Sequence, residues 1–312
     1  MNKTPSMAVK VGGVSLANPV LAASGTFGYG QEYGPYLEPG AIGGLVTKGV
    51  SLEPRQGNPP PRIVETACGM LNAIGLANVG LEEFMAAKLP WLAAQPGAVV
   101  VNLYGESVDE FAGLARALSQ AQGVDALELN VSCPNVKGGG MAFGCHPGAV
   151  GEVTTAAVEA AGDKPVWVKL TPNVTDLAPM ALAAAKAGAK AVSLINTLLG
   201  MAIDPRTRRP VLANVVGGLS GPAIKPIGLR MVWQVAAALK DEHPEVDVVG
   251  LGGIMSGTDA AEYLIAGAGA VQVGTASLAE PGAAGRIARE LAAFCAEQGI
   301  ADVSELRGSL EL

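Results

Sequence analysis

The sequence predicts a (β/α)8 barrel, and three observations predict it. Eight short apolar runs recur along 312 residues, Ala-rich stretches with helical spacing lie between them, and no run reads as a half-exposed edge strand. An open doubly wound sheet is the alternative arrangement of the same units.

The elements follow in order. Two alternating stretches, AVKV and VSLA, flank Gly12-Gly13 and predict a hairpin that plugs the barrel bottom. The eight runs are PVLAAS from Pro19, AIGGLVTKG from Ala41, AVVVNLYG from Ala98, DALELNVS from Asp125, PVWVKLTP from Pro165, AVSLINT from Ala191, VDVVGLGG from Val246 and AVQVGT from Ala270. Strands buried on both faces are apolar throughout, as these are. Residues 108–121, 175–187, 224–240, 258–266 and 283–298 carry helical spacing. No composition shift, charge block or Ser/Pro linker divides the chain, so residues 1–312 are expected to form one domain.

Composition excludes whole classes of partner. Aromatics are 4%, and the net charge of −7 argues against nucleic acid or an anionic membrane. Four cysteines at 68, 133, 145 and 295 form no CxxC pair, and no signal peptide or unbroken apolar span of about 18 residues is visible. A reducing cytoplasm is the expected location, with no metal.

Polar residues stand where the apolar runs end. Ser24, Lys48, Asn102, Asn130, Lys169 and Asn196 each follow a run at its C-terminal boundary, where a barrel gathers its catalytic groups. Any single Asn or Ser there is equally a strand cap or a turn residue. Two lysines are harder to dismiss, because an ammonium group in such a place is costly to bury without an anion. The stretch LELNVSCPNVKGGGMAFG, residues 127–144, carries Cys133 from a strand end onto a glycine-rich loop, where a thiol can exchange a proton; a buried thiol is only a small hydrophobe. Gly138 to Gly140 suggest a mobile lid.

The seventh and eighth runs end in Gly252-Gly253 and Gly274-Thr275, and Gly221 precedes another predicted helix. Glycines there let backbone N–H groups approach a phosphate. Tight turns use the same glycines, and such barrels also bind phosphosugars, so an aldolase or isomerase stays open at this level. Neither GxGxxG after the first strand nor GxxxxGK[ST] is present.

ASGTFGYG from Ala22, TKGV from Thr47, GMLNAIGL from Gly69, LNVSCPNVKGGG from Leu129, VKLTPN from Val168, INTLLGM from Ile195, GGLSGPAIKP from Gly217, GLGGI from Gly250 and VQVGTA from Val271 together resemble dihydroorotate dehydrogenase. The resemblance runs through nearly the whole chain. It implies an FMN-dependent oxidation of dihydroorotate to orotate in pyrimidine biosynthesis. Cys133 then matches the active-site base that removes a proton from C5 while hydride leaves C6 for flavin N5. Lys48 joins it among the catalytic groups and, with Asn72, Asn130, Asn196 and Thr197, matches the positions around the substrate's carboxylate and ring amides. The backbone of Leu71, Asn72, Ala73, Ile74, Gly75 and Leu76 closes around the same substrate. Lys169 matches the lysine at the flavin pyrimidine edge. Ser24, Lys48, Gly49, Asn102, Asn130, Ile195, Gly221, Gly252, Gly253, Gly274 and Thr275 match the rest of the FMN shell.

Within the family, a serine base and an N-terminal helical extension mark a membrane-associated branch; Cys133 and the short segment before the first run do not match it. INTLLGM and GGLSGPAIKPIGLRMVW look more like the soluble NAD-linked branch than the fumarate-linked homodimers. That branch implies a homodimer joined to a partner subunit carrying FAD and a 2Fe–2S cluster, because this chain has spacing for neither. FGCHPG departs from the family pattern by placing Cys145 and His146 near the Cys133 loop; tolerated variation is the plain reading, with a Cys133–Cys145 disulfide the open alternative. Cys68, Cys295 and His243 are expected to be structural.

Overall fold

The computed structural model describes residues 4–132 and 143–312. The first two strands, β1 (Val9–Val11) and β2 (Val14–Leu16), form the antiparallel hairpin, with Val11 opposite Val14 across a two-residue turn. Both turn residues have positive φ, 55° at Gly12 and 84° at Gly13, a pair that only glycine adopts without strain.

All eight predicted runs become strands of one closed parallel barrel: β3 (Val20–Ala22), β4 (Gly44–Val46), β7 (Ala98–Leu103), β8 (Ala126–Asn130), β9 (Val166–Lys169), β10 (Ala191–Leu194), β15 (Asp247–Leu251) and β16 (Ala270–Val273). They neighbour one another in chain order, and β16 pairs with β3 to close the ring, so the open doubly wound sheet is excluded. Five helices match the helical stretches at 108–118, 178–186, 225–242, 257–265 and 283–297, each within about three residues at either end. Ser107 and Ser256 cap two of them by accepting from Glu110 N and Asp259 N.

The hairpin does plug the bottom. Val11, Val14 and Leu16 pack with Leu21, Val46, Val100, Trp167 and Val249 in a separate apolar cluster inside the barrel. Trp167 Nε1 donates to Gly12 O at 2.9 Å, and Gly12 N donates to Asp247 Oδ2 at 2.6 Å.

Alternation alone did not foresee a second sheet. β5 (Ile63–Thr66), β6 (Gly69–Asn72), β11 (Leu198–Met201) and β14 (Val216–Ser220) form an antiparallel sheet in the order β11-β14-β6-β5, with a small hairpin of β12 (Ile203–Asp204) and β13 (Arg209–Pro210) beside it in sequence. Its strands leave the barrel after β4 and β10 and contribute Ile63, Met70, Asn72 and Ser220 to the cavity described next.

Candidate active site

One cleft collects the strand ends. Ser24, Lys48, Gly49, Asn102, Asn130, Lys169, Ile195, Asn196, Gly252, Gly253, Gly274 and Thr275 line it from the barrel; Asn72, Ile74, Gly75, Leu76, Thr197 and Gly221 line it from the loops and sheet above. Eighteen of the twenty-one residues named from the sequence therefore share one cavity. Leu71 and Ala73 do not: both are buried in a small cluster with Leu212, because the chain turns their side chains away from the cleft on either side of Asn72. Cys133, and with it the stretch Gly138 to Gly140 expected from the sequence to form a lid, lies outside the described residues.

The floor is a layer of polar groups over the apolar plug. Glu128 of β8, fully buried, accepts from Asn102 Nδ2 at 2.8 Å, Ser193 Oγ at 2.7 Å and Gln272 Nε2 at 2.8 Å. Asn130, one pleat further on, accepts Ser132 Oγ–H at 2.9 Å through its Oδ1. Asn196 Nδ2 donates to Ser132 Oγ at 2.7 Å, and Asn196 Oδ1 accepts from Thr197 N at 2.8 Å. These bonds hold three side chains from two strand ends in one orientation each.

One end of the cleft is cationic. Burial pushes the Lys48 ammonium below the usual lysine range, the Arg62 charge pushes it the same way, and Glu32 opposes them. Arg62, which no motif had pointed to, is anchored by donating to Asn58 O at 3.2 Å. Two cations so placed favour a bound carboxylate. Leu76 sits over Gly49 with φ 58°, a conformation uncommon for a leucine; its carbonyl accepts from Asn78 Nδ2 at 2.8 Å, and Asn58 N donates to Ile74 O at 2.9 Å.

The other end is lined by glycine backbone. Gly221, Gly252 and Gly253 have φ of 90°, 129° and 69°, and a Cβ at Gly253 would stand 2.7 Å from Gly221 O. Gly274 differs, because a Cβ there meets nothing closer than Ala23 Cβ at 3.5 Å. Thr275 Oγ1 donates to Ser220 Oγ at 2.8 Å.

These residues fit FMN by two observations. Asn102 Oδ1 and Gln272 Oε1 are buried on the cleft floor with no hydrogen-bond partner among the described residues, and such acceptors are costly unless a ligand donates to them. The strained glycine cradle leaves backbone close to the cleft where a phosphate needs it. Gln272 was missed by the sequence reading, although a glutamine inside the apolar run AVQV was its visible signal. Glu128 was missed likewise.

The remaining cysteines divide. Cys295 is buried in the main core, where burial pushes its thiol upward, as expected of a structural cysteine. Cys68 is not packed: it is exposed on the β5–β6 turn, where the turn needs its carbonyl, accepting from Ala223 N at 2.8 Å, and not its side chain. Cys145 is a half-buried free thiol just before the helix Pro147–Ala161, and His146 occupies that helix's N-cap position. His243 ends the helix Lys225–Glu242 and pairs with Glu245 at 3.2 Å. Among the described residues no helix is long and apolar enough to cross a membrane.

The family model described as dihydroorotate dehydrogenase matches residues 6–295. A protein of Geobacter sulfurreducens named "Dihydroorotate dehydrogenase B (NAD(+)), catalytic subunit" is 56% identical over 308 residues, covering 99% of each chain. A Trichlorobacter lovleyi protein of the same name is 57% identical over 307 residues, covering 98% of this chain and 99% of its own. The crystal structure of a dihydroorotate dehydrogenase from Eimeria tenella in complex with ferulenol superposes with a TM-score of 0.80 at 22% identity, over 98% of this chain and 88% of that one, a likeness of fold.

Proposed function

The chain belongs to the dihydroorotate dehydrogenase family, and from that membership we propose its reaction and the residues that carry it. It is the catalytic subunit of an NAD(+)-linked dihydroorotate dehydrogenase, oxidising dihydroorotate to orotate in pyrimidine biosynthesis. The fumarate-linked reading and the flavin-free aldolase or isomerase reading fall away beside relatives at 56 and 57% identity that carry the NAD(+)-linked name. The observation that supports the site assignment most is the make-up of the cleft: the Lys48 ammonium, acted on by the nearby Arg62 charge, together with carboxamides and a glycine cradle in the same lining.

When bound, FMN supplies the two-electron acceptor chemistry of the reaction. Asn102, Gln272 and Lys169 hold its ring from the floor, with Ser24 and Gly49 beside it. Gly221, Gly252, Gly253 and Thr275 hold its phosphate. Lys48 takes the substrate carboxylate, and the anion offsets the cost of keeping that half-buried ammonium charged. Asn72, Asn130, Asn196 and Thr197 meet the ring amides and carbonyls, and alternating donors and acceptors suit carboxamides. Cys133 removes the C5 proton; a thiol with an ordinary pKa of about 8.5 does this better as pH rises and thiolate accumulates.

Residues 1–312 act as one FMN-binding domain in the cytoplasm. Two copies pair, and each associates with an electron-transfer subunit carrying FAD and a 2Fe–2S cluster, since this sequence offers a cysteine pattern or fingerprint for neither. The test is an acceptor screen on the purified chain. A yellow protein that dihydroorotate bleaches anaerobically, and that reduces NAD(+) only after the partner subunit is added, is the expected result. Colourless protein, or Cys133→Ala with unchanged bleaching at neutral pH, contradicts it.

A further inference from the structure

Glu128 lies one layer beneath the cleft and touches no ligand position, yet two of its three hydrogen-bond donors do line the cleft. Asn102 reaches it from β7 and Gln272 from β16, strands separated in the ring by β3 and β4. A carboxylate offers only lone pairs, so each carboxamide must turn its N–H end toward Glu128. Each oxygen is thereby turned away. Those two oxygens, Asn102 Oδ1 and Gln272 Oε1, are the buried acceptors without partners on the floor, in side chains 0% and 1% exposed. Gly49 keeps the approach to one of them open, because a Cβ there would stand 3.2 Å from Asn102 Oδ1.

Resting on the FMN reading above, we infer that Glu128 is a positioning residue: its carboxylate sets the Asn102 and Gln272 amides so that the floor presents two acceptors, which share the single imide N3–H of the flavin pyrimidine ring. The oxidised flavin ring carries no other N–H donor, so an acceptor floor selects that edge and rejects a ring lacking it. Ser193, the third donor to Glu128, shares Oε2 with Gln272 and does not line the cleft.

Glu128→Gln keeps the shape and reverses the chemistry. Wherever its new NH2 lands, Asn102 or the Ser193–Gln272 pair faces a donor in place of an acceptor. If it replaces Oε1, Asn102 turns its oxygen down and its N–H groups toward the flavin; if it replaces Oε2, Gln272 does so.

The experiment titrates the full chain, stripped of flavin, with FMN and with 3-methyl-FMN, reading flavin fluorescence. Wild type is expected to prefer FMN. Glu128→Gln should lose about tenfold or more in FMN affinity and change about threefold or less toward 3-methyl-FMN, the size expected when a buried hydrogen bond to a neutral donor is lost. Gln272→Met, which deletes one acceptor and keeps the volume, should narrow the same preference if Glu128→Gln does not fold. Ser193→Ala should leave it unchanged. A preference equal to wild type in Glu128→Gln or in Gln272→Met, each with a native melting curve, overturns the inference, as does Ser193→Ala narrowing it equally. Failure of wild type to bind either flavin overturns instead the FMN reading beneath it.

Discussion

Asn196 donates to the Ser132 hydroxyl at 2.7 Å, tying the loop after β10 to the residue that directly precedes Cys133. Ser132 is fully buried and donates its own hydroxyl hydrogen bond to Asn130 Oδ1 at 2.9 Å, so one hydroxyl orients two carboxamides of the cleft next to the position proposed for the base. Ser132→Ala leaves the Asn196 N–H without that acceptor, a loss of about 1–3 kcal/mol in a buried site. Flavin bleaching by dihydroorotate should slow about ten- to a hundredfold while the yellow colour stays. Anaerobic stopped-flow measures it, and a wild-type rate would show that the bond positions nothing.

Lys48 predicts a pH dependence. Burial and Arg62 lower its pKa in the free protein, so it loses its charge at a lower pH than an exposed lysine does. The sign for stability follows: holding it charged opposes folding below that pKa, and the opposition fades as pH rises through it. A bound carboxylate favours the ammonium and raises the pKa again. Binding then takes up a proton, and orotate affinity should fall as pH climbs past the free-protein value. Spectral titration with orotate from about pH 7 to pH 10 should show this limb in wild type and lose it in Lys48→Gln. A limb persisting in Lys48→Gln would assign it elsewhere.

Gly221 has φ 90°, and a Cβ on it would lie 2.8 Å from Gly69 Cα. Gly221→Ala therefore strains the cradle by about 1–2 kcal/mol and displaces it from the β5–β6 turn. FMN should be retained at least tenfold less tightly. Equilibrium dialysis checks it; undiminished retention would move the phosphate away from Gly221.

Trp167→Phe tests the plug without touching the cleft. It removes the Nε1–H that Gly12 O accepts and leaves that buried carbonyl unpaired, so stability should fall by about 1–2 kcal/mol. Flavin content and bleaching rate should stay near wild type. Urea unfolding monitored by circular dichroism gives the first quantity, and an unchanged midpoint would make the hairpin contact energetically silent.

The barrel was legible because parallel strands buried on both faces write continuous apolar runs, and the polar residues at their ends then share one rim by geometry alone. Lys48, Asn102, Asn130, Lys169 and Asn196 were found that way. Ala73 was not separable from its neighbours, since a motif names a segment and only the backbone path says which side chain faces in. The antiparallel sheet escaped because β5 and β6 carry half-exposed residues and lie between barrel units, where short insertions read as loops.

By itself the sequence determined the local periods, the strand-end chemistry and the family, because each is written in residues near one another along the chain. Tertiary structure decided which distant groups meet: Glu128 with Asn102, Ser193 and Gln272, Arg62 with Lys48, Gly221 with Gly253. Hydrogen bonds and Coulomb forces act across a few ångströms of space whatever the separation along the chain, and closing eight strands into a ring is what makes those separations small.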